Sequence, residues 1–198
     1  SGPITPYQQF QFEHMERAQV FDVDDIADHT SPLPHTLPSA DDFAEKISAK
    51  GIKNNDRIVI YDQHGIAFAA ARAWWMFRVF GHDNVQVLNG GLPAWKNASL
   101  PLSRGMPTET AKRDYKASMN PELVKSLDEM VSAMQAKETI LDARPLERFV
   151  GNAPDIRGGM KTGHIPGSQN IFFVNLINQA DGKLKTPDEL KEQFSDIN

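Results

Sequence analysis

The stretch from Arg57 to Leu88 constrains this chain more than any other. Arg57-Ile58-Val59-Ile60-Tyr61-Asp62 and Asn84-Val85-Gln86-Val87-Leu88 are short β-branched runs bounded by turn formers, the pattern of buried strands. Between them, Gly65 to Gly81 is rich in alanine and aromatic residues and is closed by a glycine, which predicts a helix. Strand, loop, helix and strand in so short a span make a right-handed crossover unit. Strands that are apolar throughout belong to a parallel sheet covered on both faces. The apolar residues of the helix run nearly all round it, so it is expected to pack on two sides as a core helix.

A third strand is read at Thr139-Ile140-Leu141-Asp142. Further helices are expected at Ser39 to Lys50, capped by Ser39, and at Asn120 to Lys137, opened by Asn120-Pro121. Another begins at Thr186-Pro187-Asp188-Glu189. Ala98 to Met119 is rich in Pro, Ser, Thr and Lys and has no apolar period, the composition of a linker. The chain therefore divides into residues 1–97, a linker at 98–119 and residues 120–198. A degenerate repeat relates the two larger parts. His14-Met15-Glu16-Arg17-Ala18-Gln19-Val20-Phe21 aligns with His164-Ile165-Pro166-Gly167-Ser168-Gln169-Asn170-Ile171, an offset of 150. Leu37 to Ile52 likewise resembles Leu184 to Ile197 in its cap, acidic first turn and apolar spacing. Two copies of one α/β unit account for this. In the first copy the helix at Ser39–Lys50 leads to a strand, the Asp62 loop and a helix, and the second copy stops before reaching them. The first copy has no strand before His14. Both units are thus expected to be incomplete in this chain, with an open sheet edge and low stability.

Composition narrows the chemistry. A chain of 198 residues has room for one ample domain or two small ones, and 40% apolar with 24% charged residues is ordinary for a globular protein. The net charge of −5 supplies no basic face for nucleic acid, and no apolar run reaches the length of a membrane span. There are no cysteines, so a disulfide, a thiolate zinc site, an iron–sulfur cluster or a thiol nucleophile cannot come from these residues. The six histidines have no metal-ligand spacing, and Gly90-Gly91 lacks the rest of a phosphate-binding motif; no metal and no cofactor are expected. His164, in His-Ile-Pro-Gly, invites a role as a base. His14 holds the same place in the first copy, so a structural hydrogen bond is expected of both.

Arg72-Ala73-Trp74-Trp75-Met76-Phe77-Arg78-Val79-Phe80-Gly81-His82, followed by Leu88-Asn89-Gly90-Gly91-Leu92-Pro93-Ala94-Trp95, closely resembles the non-catalytic first domain of tandem rhodaneses. Leu141-Asp142-Ala143-Arg144, Arg148-Phe149 and Gly163-His164-Ile165-Pro166-Gly167-Ser168 resemble the opening of that family's second, catalytic domain. The likeness covers essentially the whole chain. It implies an α/β fold of two rhodanese-like domains, each a parallel sheet flanked by helices, and sulfur transfer through a cysteine persulfide. In the family's catalytic domain, a loop between a strand and a helix N-terminus gathers backbone N–H groups around the thiolate and favours the anion. The matching loop of the first copy here is Tyr61-Asp62-Gln63-His64-Gly65. Its carboxylate cannot take up a sulfane sulfur, and Asp62 is expected to cap the following helix. The nucleophilic cysteine is expected beyond Asn198.

Two branches of the family share the fold and differ in sulfur donor, thiosulfate or 3-mercaptopyruvate. Mercaptopyruvate carries a carboxylate beside a ketone, a planar acceptor array suited to guanidinium donors. The family positions that bind it match Arg148, in Glu147-Arg148-Phe149, and Arg157, in Asp155-Ile156-Arg157-Gly158. The thiosulfate branch keeps the first and lacks the second. Outside the motif, either would read as a solvated surface arginine. Asp24, in Phe21-Asp22-Val23-Asp24-Asp25, and His35, in the proline-rich run from Ser31 to Pro38, resemble the acid and imidazole that activate the mercaptopyruvate thiol. They would act across an interdomain cleft together with a serine beside the catalytic cysteine. Outside the motif, His35 reads as a hydrogen-bonding loop residue. The resemblance thus implies a sulfurtransferase that takes sulfur from 3-mercaptopyruvate and releases pyruvate. Its acceptor would be cyanide or a thiol, such as thioredoxin or a small dithiol, with a second chain as one way of completing the fold. The expected compartment is the cytoplasm, or alternatively the mitochondrion. Thiosulfate sulfurtransferase is one alternative reading. A non-catalytic rhodanese-like binding or regulatory module is another, favoured by the missing cysteine.

Overall fold

The computed structural model describes residues 4–107, 109–154 and 161–197. The chain folds as two compact units divided between Val124 and Lys125. In order, the first contains α1 (Pro6–Phe12), β1 (His14–Met15), α2 (Val23–Ile26), α3 (Ala40–Ala49), β2 (Ile58–Ile60), α4 (Phe68–Val79), β3 (Val85–Val87), α5 (Gly91–Asn97) and β4 (Leu102–Ser103). The crossover unit expected at Arg57–Leu88 is present. β2 and β3 pair in parallel, Ile58 opposite Val85 and Ile60 opposite Val87, with α4 between them in the chain. Ser39 caps α3 as expected, accepting from the Asp42 N–H.

The helix α4 starts at Phe68 rather than near Gly65, because Ala67 is left-handed at φ 56°. Its end is set by Gly81, at φ 83°. There the His82 N–H reaches back to the Phe77 carbonyl at 2.9 Å and the Gly81 N–H to that of Arg78 at 3.2 Å, a double closure that needs a left-handed residue. That wrap turns His82 inward. Met76, Phe77, Val79 and Phe80 meet Phe43 and Ile47 of α3 and Ile26 of α2 in the core. Phe43 stacks on Phe80 at 4.3 Å and meets Phe77 edge-on at 5.4 Å. Each such side chain contributes roughly 1.5–3 kcal/mol when fully buried. Only one face of α4 is covered, however: Phe68 and Trp74 are exposed, which the all-round apolar pattern did not anticipate.

Residues 98–119, read from composition as a linker, are stitched to the first unit. β4 pairs antiparallel with β1, the Arg113 N–H bonds the Ser48 carbonyl, and the Ser118 N–H bonds that of Phe80. Tyr115 enters the core at 4% exposure. Its hydroxyl lies 3.3 Å from His82 Nδ1, and His82 Nε2 lies 2.9 Å from the Asp56 carbonyl oxygen. A carbonyl only accepts, so Nε2 carries the proton and Nδ1 accepts from the phenol. Burial pushes the Tyr115 phenol up, keeping it a neutral donor. Replacing Tyr115 with Phe leaves a buried acceptor without its donor and should cost about 1–3 kcal/mol. The readout is a lower urea midpoint at unchanged slope. An unmoved midpoint would show that the relay contributes nothing to stability.

The single helix expected at Asn120–Lys137 is interrupted. Asn120 caps a 3-10 turn at Pro121–Leu123, and Val124 is extended at φ −136°. In the second unit α6 (Leu127–Gln135) restarts behind a capping box in which Ser126 and Glu129 satisfy each other's backbone N–H. There follow β5 (Leu141–Asp142), α7 (Leu146–Phe149), β6 (Gln169–Asn170), a 3-10 turn at Phe173–Leu176 and α8 (Pro187–Gln193). β5 and β6 are parallel, Leu141 opposite Gln169, and α8 opens on the expected cap at Thr186, boxed with Glu189. Among the described residues no helix is long and apolar enough to cross a membrane.

Candidate functional site

Asp24 and His35 meet. The Asp22 carboxylate accepts from the N–H groups of Asp24 and Asp25, which fixes the single turn of α2 that carries Asp24. His35 follows Pro32-Leu33-Pro34 and takes the left-handed conformation, φ 59°. Hydrogen bonds from the Thr36 hydroxyl to the Leu33 carbonyl and from the Asp28 N–H to the Thr36 carbonyl hold the loop closed. His35 Nε2 then lies 2.8 Å from Asp24 Oδ1. Together with Asp28, His29 and Ser31, the pair lines an open depression of about 350 Å³. The side chains are 46% and 78% exposed, so a solute can reach them without any movement of the core. A carboxylate only accepts; Nε2 therefore donates, and Nδ1 is left as the basic nitrogen.

Arg148 sits half-buried in α7, a single turn opened by Pro145. The chain that leaves at Arg144 and returns at Gly163 is tied at both ends. The Arg144 guanidinium grips Asp142, Nε at 3.0 Å from Oδ1 and Nη2 at 2.6 Å from Oδ2, while Nη2 also reaches the Gly163 carbonyl at 2.7 Å. The Asn170 amide donates to the carbonyls of Asp142 and Arg144. The hydrogen bonds from Arg144 hold the Asp142 carboxyl below the usual carboxylate range. His164 stacks on Phe149, 3.8 Å between ring centroids, with Nδ1 2.8 Å from the Phe149 carbonyl oxygen. Arg157 lies outside the described residues.

The sequence repeat has a physical content. His14 stacks on Phe10 at 3.9 Å, and its Nδ1 lies 2.9 Å from the Phe10 carbonyl oxygen, the contact that His164 makes with Phe149. The partner stands four residues away in one copy and fifteen in the other, so the contact is kept while its spacing is not. Both histidines make the structural bond expected of them.

Asp62 does not cap α4, contrary to expectation. Its Oδ1 accepts from the Gly65 N–H at 2.6 Å, which closes a turn within the loop, and its carbonyl accepts from the Leu92 N–H at 3.0 Å. A Cβ on Gly91 would meet that carbonyl oxygen at 2.7 Å, so glycine is required there. The helix begins after Ala67 with no side-chain cap. Arg144 joins this segment without a motif of its own, although its spacing from Asp142 at the end of a strand is the signal for a local bidentate pair. Among the described residues no group of three or more His, Cys, Asp or Glu is arranged to hold a metal ion.

The family model for the rhodanese-like domain matches residues 4–98. A mouse protein named 3-mercaptopyruvate sulfurtransferase is 37% identical over 192 residues, covering 96% of this chain and 64% of the relative. An Arabidopsis thaliana protein named thiosulfate/3-mercaptopyruvate sulfurtransferase 1, mitochondrial, is 39% identical over 210 residues, covering 96% of this chain and 55% of the relative. The chain thus spans less than two thirds of the length of either. The crystal structure of SseA from Escherichia coli, described as one of the 3-mercaptopyruvate sulfotransferases with the rhodanese fold, superposes with a TM-score of 0.85 at 36% identity. That match covers 95% of this chain and 69% of the other.

Proposed function

Because this chain belongs to the rhodanese family, we propose that it carries the donor-binding part of a sulfurtransferase that uses 3-mercaptopyruvate. The observation that carries this reading is the 2.8 Å contact between Asp24 and His35. An exposed carboxylate–imidazole pair contributes little to stability, yet its second imidazole nitrogen can accept a proton. Arg148 and Arg157 supply forked donors for the carboxylate and ketone of the donor. Asp24 holds His35 as the Nε2–H tautomer, and Nδ1 takes the proton from the donor thiol.

The remaining step needs a cysteine thiolate, which these 198 residues do not contain; the reading supposes that other polypeptide supplies it. That thiolate attacks the donor sulfur, an S–S bond forms and the C–S bond breaks with its electron pair on carbon, giving the enolate of pyruvate. The enolate carbon takes up one proton, the number lost from sulfur, so the balance closes on pyruvate and a persulfide anion. Thioredoxin, a small dithiol or cyanide then removes the sulfur.

Thiosulfate carries no thiol proton, and this makes a clean test. In the cysteine-bearing enzyme, replacing His35 with Gln should lower kcat/KM for mercaptopyruvate by about a hundredfold, the scale of general base catalysis. Thiosulfate turnover, measured as thiocyanate from cyanide, should change far less. Equal losses with both donors, or none with mercaptopyruvate, would remove the proton-transfer role.

A further inference from the structure

The backbone of His35 is bonded from the helix beside it. Arg72, in the second turn of α4, donates from Nη2 to the His35 carbonyl oxygen at 2.6 Å. Its guanidinium carbon lies 4.6 Å from the centroid of the Trp75 ring. Trp75 is itself held by a bond from its indole N–H to the Leu123 carbonyl at 3.1 Å. Ala73, Met76 and Phe77 bury the inner face of α4, so Arg72 projects from a fixed element, whereas the loop bearing His35 is largely exposed. At φ 59°, His35 occupies a backbone region that a residue with a β-carbon enters only at a cost.

We propose that Arg72 is the positioning residue of the Asp24–His35 pair. Its charged bond to the His35 carbonyl holds the backbone from which Nε2 meets Asp24 and Nδ1 remains basic. This rests on the role given to His35 above. The physical logic is that a proton acceptor must be placed within a fraction of an ångström, and a proline-rich loop does not do so unaided.

The test compares Arg72→Met and Arg72→Lys with His35→Gln in the cysteine-bearing enzyme. Arg72→Met should lose about ten- to a hundredfold in kcat/KM for mercaptopyruvate near pH 7, with a much smaller loss for thiosulfate. The deficit should shrink as pH rises past the donor's own thiol pKa, about 8.5 for an ordinary thiol, because the base is then not needed. Arg72→Lys should recover only part of the loss, since an ammonium can still donate to the carbonyl but loses the planar contact with Trp75. A loss that is equal for both donors and flat with pH would make Arg72 merely structural and overturn the proposal. If His35→Gln is donor-selective and Arg72→Met is not, the positioning role fails alone; if His35→Gln is not, the role of His35 fails. Imidazole 15N shifts of the 198-residue chain give an independent reading. Arg72→Met should shift His35 away from the pure Nε2–H tautomer, and unchanged His35 signals would overturn the positioning role whatever the kinetics.

Discussion

Given 3-mercaptopyruvate or thiosulfate with cyanide, the 198-residue chain alone should form thiocyanate no faster than the uncatalysed background. Sulfane transfer needs a polarizable nucleophile that can hold a second sulfur, and the chain has no cysteine. The loop in the first unit that matches the family's cysteine loop presents Asp62, whose Oδ1 is spent on the Gly65 N–H. A carboxylate there cannot form an S–S bond. The expected effect is therefore a complete loss relative to a cysteine-bearing enzyme, read by thiocyanate colorimetry on a sample whose intact mass matches the sequence. Robust turnover from such a sample would mean that a different nucleophile does the chemistry.

The second large effect concerns the two arginines. In the cysteine-bearing enzyme, Arg157→Met should cut kcat/KM for mercaptopyruvate by roughly 10- to 150-fold, the equivalent of the ~1.5–3 kcal/mol of a charge-assisted hydrogen bond. The share of the loss that comes from a carboxylate contact should appear in KM, and the share from a ketone contact in kcat, because the ketone oxygen gains charge as the proposed enolate forms. Thiosulfate turnover should be nearly unaffected, since thiosulfate has no carboxylate and ketone for a second guanidinium to hold. Arg148→Met should impair both donors. Lysine should restore little at either place, for an ammonium lacks the planar fork. Intact mercaptopyruvate turnover in Arg157→Met would detach Arg157 from donor binding.

What was legible in the chain, and what was not, divides by range. The β-branched runs, the Ser39 and Thr186 caps and Gly81 are signals confined to a few neighbouring residues, and each element formed where its signal lies. Where two local signals competed, as at Val124 and the Ser126 capping box, the longer reading was wrong. Tyr115 was hidden because one aromatic in a polar stretch has no period; only its packing against Phe43 of α3 and His82 reveals it as an anchor. Asp62 likewise bonds within its loop because Gly65 turns the backbone toward it before the helix begins.

The site follows the same division. Residue types alone determined that these 198 residues hold no sulfur nucleophile, because that is a property of side chains, whereas Asp24, His35, Arg148 and Arg157 were singled out only by the resemblance to the family. Only the folded chain decided that Asp24 and His35 touch, that Arg72 grips the backbone of His35, and that Arg144 and His164 tie down the ends of the segment bearing Arg148. Each of the last three joins residues fifteen or more positions apart, or a helix to a loop, and such a bond exists only after packing has brought donor and acceptor within reach.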